Sequence, residues 1–77
     1  MITTATIQSL AQIGDRVEAD TEKARIDGFL EKIDMEGIVV SWKYISIGLV
    51  NNKQQEVVLT TSIFIPNEEI RTLAVIK

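Results

Sequence analysis

From Ile38 to Val50 and again from Lys53 to Ile65 the chain is dense in β-branched and aromatic residues, and only Asn51-Asn52 separates the two runs. Asparagine tolerates the positive φ that a tight hairpin turn demands at its central positions, so the two runs read as one long antiparallel hairpin. Pairing outward from that turn sets Ile38 opposite Ile65, Val40 opposite Ile63, Trp42 opposite Thr61 and Tyr44 opposite Leu59. Side chains alternate across a strand, so these residues share one face while Ser41, Lys43, Thr60 and Ser62 share the other. The first face reads as core, Trp42 included. Slipping the pairing by a single residue would put Trp42 and Ile63 in water, which specifies the register strongly. The β-branched density and the lack of a helical apolar stripe argue against a helix here.

Length limits what such a hairpin can be built into. With 77 residues the chain makes one domain, and a domain of this size buries only about 60% of the surface its unfolded form exposes. Small domains make up that deficit with disulfides, metals or association, and this chain has no Cys and no His. Association is left. A hydrophobic share of 45% is high for a small soluble monomer and suits surface buried against other copies. The net charge of −3 argues against a broad phosphate-binding surface, while leaving room for a local basic patch. No apolar run reaches the roughly 18 residues of a membrane span, and the N-terminus lacks a signal peptide's basic start and long apolar core. No membrane partner and a cytoplasmic location are the resulting expectations.

Taken in order, Thr3 or Thr4 can cap a short helix carrying Ile7, Leu10 and Ala11 on one side, with Ile13 near its end and Gly14 as the residue that stops it. Asp15 to Asp20 reads as a first strand with Val17 and Ala19 inward, and Thr21-Glu22-Lys23 as a polar turn. In the second strand Ala24, Ile26, Gly28 and Leu30 alternate with polar residues until Phe29 and Ile33 break the phase, and Gly28 is where such a strand can bend sharply. Asp34 to Gly37 forms a corner, the hairpin follows, Pro66 to Glu69 makes a single 3₁₀ turn, and Arg71 to Ile76 gives a last strand. The fold class is therefore mainly β. A short N-terminal helix within 1–13 precedes a five-stranded, strongly bent antiparallel small barrel over 15–77, in a single domain spanning 1–77.

That order of elements, with Gly28, Leu30 and Asp34 in the second strand, Ile13-Gly14-Asp15-Arg16-Val17 before it and Ile65-Pro66-Asn67-Glu68-Glu69-Ile70 near the end, resembles the Sm-like (LSm, Hfq-type) family. The resemblance implies a homo-oligomeric ring of about five to seven copies, in which the fourth strand of one subunit pairs with the fifth strand of the next. Val58, Thr60, Ser62 and Phe64 on one edge, and Leu73, Ala74 and Ile76 on the other, are the interface residues it implies; the runs containing them hold no inward charge and no interior Pro to block pairing.

The resemblance also implies single-stranded RNA as a partner, contacted from the loops after the second strand and before the last one. The matching residues are Asp34 and Asn67, with Lys32 nearby for a phosphate. This chain departs from the family pattern in two ways: Met35-Glu36-Gly37 lacks the usual Asn, and Pro66-Asn67-Glu68 lacks a basic residue. The nucleotide site is thus degenerate, and Glu36, Glu68 and Glu69 put carboxylates beside it that repel phosphate. Trp42 and Tyr44 invite comparison with a base-stacking platform, but their alternation with Val40 and Ile38 favours core. With no His, no Cys, no Gly-rich phosphate loop and no closely spaced carboxylate pair, neither an enzyme nor a cofactor is expected. An acidic SH3-like barrel serving as a protein-interaction adaptor without nucleic acid has the same strand order and stays open as the alternative.

Overall fold

The computed structural model describes Ile2 to Ile76; Met1 and Lys77, the two ends of the domain read from the sequence, lie outside the described residues. Its elements run α1 (Thr4–Leu10), β1 (Arg16–Thr21), β2 (Arg25–Ile33), β3 (Gly37–Val50), β4 (Lys53–Pro66), a 3₁₀ turn (Asn67–Glu69) and β5 (Ile70–Val75). The five strands form one antiparallel sheet in the order β4-β3-β2-β1-β5. The molecule is mainly β with a short N-terminal helix, as the pattern of residues requires.

The hairpin takes the register expected of it. Ile38 faces Ile65, Val40 faces Ile63, Trp42 faces Thr61 and Tyr44 faces Leu59. Asn51 and Asn52 have φ of 52° and 63°, the pair of left-handed residues that lets a two-residue turn follow the twist of its strands.

β2 is the strand that makes the sheet bend. β1 pairs with it from Arg25 to Phe29, and β3 pairs with it from Phe29 to Ile33, so the two halves of β2 serve different neighbours and overlap only at Phe29. A register shift between Leu30 and Lys32 adds an unpaired residue and sharpens the curve. Gly28 sits where the backbones converge: a Cβ there would stand 2.5 Å from the Ser41 carbonyl oxygen and 2.7 Å from Val40 Cγ1.

Three expectations are corrected. The sheet does not close into a barrel; it is bent but open, and β4 and β5 remain as its two edges. Gly14 does not stop the helix, which ends at Leu10; with φ of 97° it turns the chain into β1 and donates its N–H to the Leu30 carbonyl at 2.8 Å. Nor is Trp42 core. β3 meets β2 only as far as Ser41, so from Trp42 to Val50 it has β4 alone as a partner, and the hairpin leaves the body as a two-stranded arm. Trp42, the first residue of that arm, is half-buried, and Tyr44 beyond it is exposed. The arm accounts for the elongated outline of 49 × 23 × 21 Å.

The core is correspondingly small. Ile7, Val17, Leu30, Ile38, Val40, Ile65 and Ile70 are fully buried, and Ala11 and Ala19 fill narrower gaps between them. α1, capped by Thr3 Oγ1, which accepts from the Thr6 N–H at 3.2 Å, packs on β2 and β5 and contributes Ile7 to this cluster.

Candidate functional site

The corner between β2 and β3 and the 3₁₀ turn after β4 meet at one end of the sheet, and Asp34 and Asn67 meet with them. Asp34 builds its own corner: Oδ1 accepts the backbone N–H of Glu36 at 2.8 Å and of Gly37 at 3.0 Å. This is an Asx turn, the usual reason for Asp at such a position. Those two N–H groups hold the carboxylate below its ordinary pKa, with a smaller contribution from the Lys32 ammonium, whose Nζ lies 4.0 Å from Oδ2.

Asn67 ties the second loop to the first. Its Nδ2 donates to Thr4 Oγ1 at 2.9 Å and to the Met35 carbonyl at 3.2 Å, and its backbone N–H donates to the Glu36 carbonyl at 2.9 Å. Thr4 Oγ1 in turn donates to the Asp34 carbonyl at 2.8 Å. Thr4 is therefore the link between the two residues singled out in the sequence, across a separation of 30 residues to one and 63 to the other. Nothing in the sequence signals this role, because Thr4 there is only a possible helix cap. The Asn67 Oδ1 atom is buried and has no hydrogen-bond partner among the described residues.

The polar groups of this end are mostly engaged in holding the two loops and the start of α1 together. Its shallow hollow is lined by Thr3, Met35, Phe64 and Asn67 together with Glu36 and Glu68, and among the described residues no cationic side chain joins them. Lys32, although its Nζ reaches the Asp34 carboxylate, does not line this hollow. It lines a larger open groove on the sheet, where Arg16, Asp27, Phe29, Trp42 and Lys43 also converge. Arg16 grips Asp27 through Nε at 3.3 Å and Nη2 at 3.2 Å, and this pairing raises the guanidinium pKa further above its ordinary value. Phe29 is 51% exposed in the groove. The sequence marks Phe29 as out of phase with its strand, which is the one signal that could have located it here.

The interface residues read from the sequence lie along the two edges. On β4, Thr60 and Ser62 are exposed, and Val58 and Phe64 are 64% and 45% exposed. On the other edge Ala74 is exposed and faces Glu18 of β1, while Leu73 is half-buried and packs on the core. Half-buried Ile76, just past β5, donates its N–H to the Arg16 carbonyl at 2.9 Å.

No family model, no curated protein and no solved structure matches this chain. Among the described residues no helix is long and apolar enough to cross a membrane.

Proposed function

We propose that this chain is an Sm-like subunit which closes into a homo-oligomeric ring by pairing β4 of one copy with β5 of the next, and that the ring is an RNA-associated scaffold with a degenerate nucleotide site. One observation carries the ring: the open sheet ends in two unlike, unpaired edges, and both bear apolar side chains. From Val57 to Ile65, β4 has no charge and no Pro, so nothing blunts it against pairing. β5 has 6 residues, close to the Val58–Phe64 span of the opposite edge. Unlike edges join head to tail, and such contacts form a ring when the rotation between copies closes. Pairing them satisfies two rows of backbone groups and covers Val58, Phe64 and Ala74, which a core this small cannot cover alone.

The RNA half of the reading is supported by Asp34 and Asn67 meeting at one mouth, and the acidic neighbours Glu36 and Glu68 make that mouth a weak site for phosphate. Binding of single-stranded RNA is therefore expected to be salt-sensitive, falling by about tenfold between roughly 50 and 200 mM salt if two or three phosphates are contacted. Fluorescence anisotropy with labelled oligonucleotides measures it. An intact ring that binds no RNA at any salt would instead favour the adaptor. That second reading has its own support in the arm, where Ile45, Ile47 and Leu49 are 66%, 71% and 75% exposed on one face, a surface suited to a protein partner.

A further inference from the structure

We infer that the β3 side of the arm takes up an extended segment of another protein as an added strand, laid antiparallel to residues 43–49 with its C-terminal end at the fork where β2 and β3 part. That side is a third free edge. The last pair between the two strands is Phe29 with Ser41, and from there β2 turns toward β1 while β3 runs on with β4 alone. The two-residue turn closes on Val50 and Lys53 as a hydrogen-bonded pair, and such pairs alternate along an antiparallel ladder. Val50, Gly48, Ser46 and Tyr44 therefore aim their N–H and C=O groups at β4. Leu49, Ile47, Ile45 and Lys43 aim theirs outward, and no strand pairs with them there among the described residues.

An exposed row of backbone donors and acceptors is matched by another extended chain. The side chains beside the row narrow that partner further. Ile45, Ile47, Leu49 and Val58 stand exposed on one face of the arm and Tyr44 and Leu59 on the other, so the incoming strand is apolar on both faces. A two-stranded ribbon is marginal in water, and a third strand covering these residues completes it. Lys43 is the only charge on β3 and is exposed. Arg16 and Lys32 near the fork are already matched by Asp27 and Asp34, whereas Lys43 makes no ion pair among the described residues, so a carboxylate at the C-terminal end of the added segment answers it. A second copy of β3 brings none: antiparallel self-pairing about Ile47 sets Lys43 opposite Asn51, and about Ser46 opposite Leu49. The inference extends the protein-partner reading of the arm and does not rest on ring closure, because the β4 edge used by the ring lies on the other side of the arm.

The probe is a fluorescein-labelled synthetic peptide of about seven residues, alternating valine and threonine and ending in aspartate, titrated with the full chain and read by anisotropy. Saturable binding is expected, and it should persist in Ala74→Lys, which alters only the far edge of the sheet. Methylating one alternate set of the peptide's backbone amides should abolish binding and methylating the other set should not, since only one set faces β3. Ile47→Pro removes an outward N–H without touching the ladder to β4 and should weaken the affinity by at least roughly tenfold, as should Lys43→Glu. Circular dichroism checks that both variants fold, and the methylated peptides decide on the unaltered chain if either does not. Equal binding by both methylated peptides would overturn the added strand, because adhesion of side chains would then suffice. Binding lost in Ala74→Lys would move the peptide to the ring contacts and overturn it as well. Dimers of Ala74→Lys that Ile47→Pro separates would make a second copy the occupant, against the inference. No binding at millimolar peptide would overturn it too, and the native mass would still decide the ring.

Discussion

A lysine placed on either free edge of the sheet is expected to break the oligomer into folded single subunits. Phe64→Lys sets an ammonium in the middle of the β4 edge, and Ala74→Lys does the same on β5. An uncompensated buried charge costs about 3–5 kcal/mol, so each contact should weaken by at least two orders of magnitude. The two variants fail in different ways if they fail at all. The Phe64 ring lies against Gly37, so its loss disturbs packing within the subunit as well. Ala74 is exposed and opposite Glu18, whose carboxylate already pairs with Arg25 at 3.0 Å, so a lysine there leaves the packing of the free subunit intact and stays uncompensated in the contact. Sedimentation velocity reads the outcome, with circular dichroism as the check on folding. If both variants sediment as the unaltered chain does, the edges are not where the copies meet.

Gly28→Ala is expected to cost about 2–3 kcal/mol, since the added methyl meets the Ser41 backbone carbonyl and the branched Val40 side chain, neither of which can move aside cheaply. That is a large share of the stability of a domain whose core holds seven large side chains, because small domains sit at the low end of about 5–15 kcal/mol. Gly48 supplies the comparison. It lies on the arm, and its added methyl would meet only Val57 Cγ2 at 3.2 Å, so Gly48→Ala should change stability by less than about 1 kcal/mol. Denaturant unfolding at one fixed protein concentration measures both, as association shifts apparent stability. Equal effects of the two substitutions would mean that the bend in β2 does not depend on close approach at Gly28.

The hairpin was legible because its information is local and redundant. Asn51 and Asn52 mark the turn, and alternation on both strands fixes the register from Ile38 opposite Ile65 outward. Where the core stops was not legible. Alternation continues unbroken through Trp42 and Tyr44, and it records which face a residue takes, not whether a third strand lies beneath it; here β2 has already turned away toward β1 at Phe29. Closure failed for a related reason: residues that make an edge apolar look the same whether the partner is a strand of the same chain or of another copy. Asp34 and Asn67 could be named from their loops, but the hydroxyl of Thr4 that joins them comes from the other end of the chain, and no local pattern announces it. Lys32 lies beside Asp34 as its place in the strand suggests, yet it opens onto the groove of Phe29 and Trp42, because the extra residue between Leu30 and Lys32 resets the faces of β2.

The shortage of interior and the two bare edges lead to the same demand, that copies of this chain complete each other. Native mass spectrometry of the full chain at micromolar concentration tests it most directly. A single closed species of about five to seven copies is predicted, with neither an open ladder of sizes nor a substantial monomer. A stable, well-folded monomer as the sole species at that concentration would contradict the account.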